Sequence, residues 1–163
     1  MENKSLYKQT LSLLKSKQNI DVYVDMDGVL AEYVYGEGEK ILNGETTVYL
    51  NKRPIKTIAK LIKKYYTKNS FYIVTSCKTF EQFETKKQWI KKHLPFFNLE
   101  NVYCVFSENF SDRIGDKVKY IGDLVKSRNN YSILIEDTHE ILKRCWENNK
   151  ESILPVLVIN LIK

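Results

Sequence analysis

"DVYVDMDGVLAEY", residues 21–33, places two aspartates one residue apart, directly after a short apolar segment. At that spacing the carboxylates of Asp25 and Asp27 repel each other. Gly28 follows them and allows the backbone to leave a strand sharply. A bound cation would offset the repulsion, so the stretch predicts a strand that ends in a metal-binding turn.

Outward from this stretch, short apolar segments alternate with segments of helical periodicity. An amphipathic helix is predicted before the first strand, and further helices lie between the later strands. The predicted strands are residues 20–25, 71–76, 101–106, 131–137 and 155–160. Such alternation is typical of an α/β fold, with a mostly parallel five-stranded sheet and helices on both faces. Residues 31–54 are predicted to be an irregular insert, because "GEG" and "NGE" are turn signals.

Polar residues follow three of the predicted strands. Because ligands of parallel sheets bind beyond the carboxyl ends of the strands, these residues are expected to share one edge of the sheet. They are Asp25 and Asp27, Thr75 and Ser76, and Glu136 and Asp137. The four carboxylates are hard oxygen ligands of the kind that Mg²⁺ prefers.

Such a cluster can support phosphoryl transfer. A carboxylate, Asp25, would be the nucleophile, and Asp27 could protonate the leaving oxygen and later deprotonate water. The Thr75 hydroxyl can donate to a phosphate oxygen. A lysine must balance the remaining charge, and Lys117, with Lys119 as its rival, begins the helix before the fourth strand.

The composition limits the alternatives. The chain has 163 residues, a net charge of +6 and no apolar run as long as a membrane span. The N-terminal segment lacks the apolar core of a signal peptide, so a cytoplasmic location is expected. Three widely spaced cysteines argue against both a disulfide framework and a zinc site.

The excess of lysine favours a solvated surface over a nucleic-acid site. In the segment from residue 52 to 68, apolar residues fall on one helical face and most lysines fall outside it. No basic–aromatic binding motif accompanies them. Nucleic acid and membrane are therefore not expected as partners, and the sequence leaves homodimer formation open.

Four segments together resemble the motifs of the haloacid dehalogenase superfamily of phosphohydrolases. In order along the chain they are "DMDGVLAEY", "IVTS", Lys117 and "ILIED". The stretches "YLNKRPI" and "TKKQWIKKHLP" are similar to the 5′(3′)-deoxyribonucleotidase branch of that superfamily. Two features depart from the branch: Glu136 stands where it usually has an aspartate, and the insert is short for a cap.

The resemblance implies one Rossmann-like domain over residues 1–163, with residues 31–54 as a small cap. It implies a Mg²⁺-dependent phosphatase that forms an aspartyl-phosphate and acts on nucleoside 5′-monophosphates. The implied roles are nucleophile and acid/base for Asp25 and Asp27, phosphate binding for Thr75, Ser76 and Lys117, and metal binding for the two aspartates with Glu136 and Asp137.

Two alternatives stay open. Another small phosphorylated metabolite could be the substrate, or the fold could serve a non-catalytic binding protein. Tyr33 follows the first motif, where its ring could stack on a nucleobase or pack the insert onto the core.

Overall fold

A five-stranded sheet, with all strands parallel, forms the centre of the molecule. The computed structural model describes residues 5–16, 19–42, 45–107, 109 and 111–162. The strands are β1 (Asp21–Val24), β2 (Ser70–Cys77), β3 (Val102–Phe106), β4 (Ser132–Glu136) and β5 (Ile153–Leu157). Their order across the sheet is β3-β2-β1-β4-β5, so β1 lies in the middle. The predicted α/β class and parallel sheet are confirmed.

Helices cover both faces of the sheet. They are α1 (Leu6–Lys15), α2 (Glu37–Leu42), α3 (Lys56–Tyr65), α4 (Phe80–His93), α5 (Arg113–Arg128) and α6 (His139–Asn148). Buried residues of α1, α3 and α4 share one apolar cluster, and those of α5 and α6 share another. No helix in the described part of the chain is long and apolar enough to cross a membrane.

Strand β1 contributes side chains to both apolar clusters because successive residues of a strand point to opposite faces. Val22 and Val24 pack with the α1, α3 and α4 layer, and Tyr23 packs with α5 and α6. All four residues of β1 are buried. A strand with two apolar faces is what a central position in a parallel sheet requires.

The ends of two helices follow from local chemistry. The Oγ1 atom of Thr79 accepts a hydrogen bond from the Gln82 amide at 3.2 Å and so caps the N-terminus of α4. Helix α5 ends at Asn129, which has a φ of 52°. Asparagine is one of the few residues other than glycine that adopts this left-handed conformation readily.

The last strand begins and ends earlier than predicted. It spans Ile153–Leu157, and residues Val158–Asn160 form a 3₁₀ turn instead of continuing it. The prediction started this strand at Pro155, which has no backbone N–H to donate to a sheet. That lack is tolerated here because β5 is an edge strand that pairs only with β4.

The insert is more regular than predicted. It contains the six-residue helix α2 and a 3₁₀ helix, Thr46–Asn51. The bridge between Ala31 and Pro54 closes its base. Both helices are too short for a periodic apolar pattern to reveal them.

Candidate functional site

The chain reverses direction across the sheet next to β1. It runs from β1 to β2 and β3 on one side and then crosses to β4 on the other. The connection that leaves β1 runs towards β2, and the connection that leaves β4 runs towards β5, in the opposite direction along the sheet. Doubly wound sheets bind ligands in the gap between two such connections. Asp25 directly follows β1, Glu136 is the last residue of β4, and Asp137 comes next.

These three residues form an acidic cluster. One carboxylate oxygen from each of Asp25, Glu136 and Asp137 lies within 4.8 Å of the others. Burial, with the nearby charge of Glu136, raises the pKa of Asp25 to about 6. Closely spaced carboxylates are a suitable donor set for Mg²⁺, which would offset their mutual repulsion.

Lys117 balances part of this negative charge. Its Nζ lies 2.5 Å from Asp25 Oδ1 and 2.7 Å from Glu136 Oε2. Although burial alone would lower the pKa of Lys117, the two carboxylates raise it. Lys119, the alternative from the sequence, is on the surface and pairs with Asp123.

Glu136 has partners on both oxygens. While Oε2 accepts from Lys117, Oε1 accepts from the backbone amides of Asp137 and Thr138 at 3.1 and 3.2 Å. Glu136 is fully buried, whereas Asp137 is half-buried. This arrangement favours Asp137 over Glu136 as the carboxylate that contacts a metal directly.

Asp27 lies in basic surroundings instead of in the acidic cluster. Its oxygens accept from Lys52 Nζ at 2.7 Å and from Lys86 Nζ at 2.6 Å, and all three side chains are buried. Although burial alone would raise the pKa of Asp27, the charges of Lys86 and Lys52 hold it well below its usual range. With both oxygens bound to lysines, the geometry does not favour the Asp27 side chain as a metal ligand.

The end of β2 lies beside this pair. Lys86 Nζ donates to Thr75 Oγ1 at 2.8 Å and to the carbonyl oxygen of Ser76 at 2.9 Å. The Ser76 hydroxyl is buried and has no hydrogen-bond partner among the described residues. An unpartnered buried hydroxyl next to an ammonium group is suited to binding an oxygen of an anionic ligand.

Tyr33 packs over the turn that carries the aspartates. A Cβ atom on Gly28, whose φ is +76°, would lie 2.6 Å from Tyr33 Cε2 and 2.3 Å from Asp137 Oδ2. The Tyr33 ring centroid is 5.4 Å from Lys52 Nζ. Burial raises the pKa of Tyr33, and so does Asp137. Tyr33 is 58% exposed as a residue, so part of it packs on the turn and the rest stays accessible to a ligand.

Three charged residues of the site were not predicted. Lys52, Lys86 and Glu37 are buried, and Lys52 Nζ also donates to Glu37 Oε1 at 2.8 Å. Lysines of a lysine-rich chain are usually exposed. For Lys86 the sequence did contain a signal, because it falls on the same helical face as Gln82 and Trp89, which are buried.

A cavity of about 640 Å³, called the chamber below, opens beside Asp27. The insert forms one wall, with Tyr33, Glu37 and Tyr49. The core forms the other, with Ser76, Lys86 and the start of α5. Its volume is in the range of small-molecule sites.

Comparison with known proteins identifies the fold. No protein-family model matches the chain, and no curated protein matches it either. Among solved structures, it is similar to the HAD domain of effector protein Lem4 from Legionella pneumophila. The likeness covers 85% of each chain, with a TM-score of 0.53 and 11% identity. The chain therefore has the α/β fold of a haloacid dehalogenase domain.

Proposed function

We propose that this protein is a Mg²⁺-dependent phosphatase of the haloacid dehalogenase type that uses Asp25 as its nucleophile. The observation that carries the proposal is the contact of Lys117 with both Asp25 and Glu136, next to Asp137, at the end of the central strand. Lys117 keeps Asp25 in the ionised form that attack on phosphorus requires, against a burial that raises its pKa.

Asp25 and Asp137 are the residues proposed to hold the metal, with Glu136 fixing Lys117 beside them. Bound Mg²⁺ would neutralise charge on the phosphoryl oxygens as they approach the carboxylates. In this proposal the Thr75 and Ser76 hydroxyls donate to the remaining phosphate oxygens, and the charge of Lys86 lies beside them.

The proposed reaction has two steps. An Asp25 oxygen attacks phosphorus, the bond from phosphorus to the leaving oxygen breaks, and that oxygen takes a proton from Asp27. Water then attacks the aspartyl-phosphate, gives its proton to Asp27 and releases phosphate and the Asp25 carboxylate.

Asp27 must carry a proton before the first step, yet Lys52 and Lys86 keep it ionised in this structure. A bound phosphate dianion would attract the charge of Lys86 and so raise the pKa of Asp27. Substrate binding would thus favour the protonated Asp27 that the first step needs. Once Asp27 has given up this proton, its ionised form would be the base of the second step.

The substrate class that fits best is a nucleoside 5′-monophosphate, deoxy or ribo. The chamber adjoins Asp27 and has the aromatic rings of Tyr33 and Tyr49 in its wall. A nucleobase can stack on such rings. The insert, in this proposal, acts as a small cap over the leaving group.

The test is a hydrolysis screen of nucleotides and sugar phosphates, with and without Mg²⁺, on wild type and Asp25→Asn. Wild type should hydrolyse a nucleotide only with Mg²⁺, and the variant should be inactive while remaining folded. A folded variant that keeps more than about a tenth of the wild-type kcat would exclude Asp25 as the nucleophile.

A further inference from the structure

The insert is anchored to the core by a charge. Among residues 32–41, Glu37 alone is buried, Ile41 is half-buried, and the others are exposed. An isolated short helix is marginal in water and usually depends on apolar packing. Among the side chains of α2 that the structure describes, residues 37–41, only Ile41 offers such packing, so we ascribe the attachment of this segment to the contacts of Glu37.

Glu37 connects the loop before α2 to the catalytic edge. Its Oε2 accepts from the Val34 amide at 2.9 Å, and its Oε1 accepts from Lys52 Nζ at 2.8 Å. The same Nζ donates to Asp27 Oδ1 at 2.7 Å. Lys52 therefore joins a residue of the insert wall to a residue of the reaction.

The position of Lys52 is fixed by its contacts with the core. It is 2% exposed, and its carbonyl oxygen accepts from Trp89 Nε1 of α4 at 2.8 Å. Trp89 is fully buried in the core. Because the lysine backbone is tied to the core, Glu37 determines where the loop from Tyr33 to Gly38 lies.

That loop is part of the chamber wall, since Tyr33, Glu37 and Gly38 all line the cavity. A charged anchor specifies position more strictly than an apolar one, because its hydrogen bonds need defined distances and angles. Loss of the anchor would leave the wall attached but without a fixed distance from the catalytic carboxylates.

We infer that Glu37 is a positioning residue that holds this wall against Lys52 and thereby sets the preference for substrates whose leaving group fills the chamber. The inference rests on the proposed phosphatase function. The inference goes beyond that function because it assigns substrate discrimination to a residue that, in this proposal, touches neither the phosphate nor the metal.

The anchor itself is tested without any activity. Hydrogen–deuterium exchange is measured on peptides covering residues 32–41 in wild type, Glu37→Gln, Glu37→Ala and Glu39→Gln. Glu39 is exposed on the same helix, so its variant is the matched control. Exchange should be about tenfold faster in both Glu37 variants, while β1 and β2 stay protected. Equal exchange in wild type and both Glu37 variants would overturn the inference.

Discrimination is tested with thymidine 5′-monophosphate against phenyl phosphate, whose leaving group is one ring. Glu37→Gln should lower the ratio of the two kcat/KM values by about tenfold, through a higher KM for the nucleotide. Glu39→Gln should leave the ratio unchanged. An equal loss on both esters would mean that Glu37 acts on the chemistry at Asp27, and would overturn the inference. A wild type inactive on every phosphate ester would refute the proposed function, while the exchange result would still decide whether Glu37 is the anchor.

Discussion

Asp25 and Asp27 are one residue apart and have opposite electrostatic surroundings. Asp25 shares one lysine with Glu136 and lies near Asp137, whereas Asp27 contacts two lysines, of which Lys52 also pairs with Glu37. Consequently the pKa of Asp25 is raised and that of Asp27 is lowered. Neighbouring carboxyl groups whose pKa values are shifted in opposite directions by their surroundings are typical of active sites, where the two groups have different roles.

Replacement of Asp27 by asparagine should destabilise the fold, whereas the same change at Asp25 should not. Asp27→Asn leaves the ammonium groups of Lys52 and Lys86 facing a neutral amide, and breaking a buried ion pair costs about 3 kcal/mol or more. Asp25→Asn removes a charge that Glu136 repels, and Lys117 keeps Glu136 as its partner. Urea unfolding of both variants measures the difference, and equal stability of the two would contradict the electrostatic description.

The stability difference between Asp25→Asn and wild type should depend on pH when no metal is present. The pKa of Asp25 is about 6 in the folded protein against an ordinary value of 3.8. A raised native pKa gives wild type a stabilisation that is present below about pH 4 and lost as the pH rises through about 6. Asparagine does not titrate, so the variant should gain on wild type between about pH 4 and 7. Unfolding series in EDTA measure the stability of both proteins across this pH range. A variant that loses stability relative to wild type as the pH rises would contradict the predicted sign.

At the scale of secondary-structure elements, helix α4 supplies a charge to the site from its buried face. Lys86 reaches Asp27, Thr75 and the carbonyl of Ser76, which belong to two different strand ends. One lysine thus fixes the acid/base candidate and the candidate phosphate-binding segment at a set distance from each other.

Lys86→Met should therefore lower kcat by about 100-fold, the usual cost of one preorganised donor in an active site. Lys87→Met is the matched control, because Lys87 is the next residue of α4 and pairs with Glu84 near the surface. Steady-state kinetics on a hydrolysed nucleotide measure both. Comparable losses in the two variants would show that the charge of α4, and not the contacts of Lys86, is what the reaction needs.

The two acidic residues at the end of β4, Glu136 and Asp137, are expected to have different roles. Asp137→Asn should raise the Mg²⁺ concentration for half-maximal activity much more than Glu136→Gln does, because both Glu136 oxygens already accept hydrogen bonds. Losses at a residue that only orients a ligand are about 10–100-fold. Mg²⁺ titrations of the two variants decide the assignment, and the reverse order would make Glu136 the direct ligand.

At the scale of the whole molecule, the net charge of +6 raises the question of whether the protein binds nucleic acid. Helix α3 exposes Lys56, Lys60, Lys63 and Lys64 and buries Ile58 and Ile62, as its periodicity predicted. If these lysines only solvate the surface, DNA binding should be weak and should vanish at physiological salt, since counterion release makes it fall steeply. Titration of labelled duplex DNA at two salt concentrations tests this, and tight binding at the higher salt would point to a nucleic-acid partner.

The sequence predicted those parts of the molecule that depend on order along the chain. Strand–helix alternation predicted the parallel sheet, and polar residues at the ends of β1, β2 and β4 predicted which side chains lie together at one edge of it. It did not predict what depends on three-dimensional pairing. Buried Lys52 and Glu37 are 15 residues apart, in an insert without periodicity, and only folding shows that they meet. The start of β5 before Pro155 was missed because the edge position of this strand, which tolerates a proline, is a property of the sheet.

The contact between Lys117 and Asp25 joins residues that are 92 positions apart, which has a consequence for synthesis on the ribosome. At about 5–20 residues per second, roughly 5 to 20 s pass between the translation of Asp25 and that of Lys117. Throughout that interval β1 also lacks its neighbour β4, which is translated later still. A nascent chain therefore emerges with Asp25 exposed and without its lysine partner, and the acidic cluster can form only after β4 has been translated.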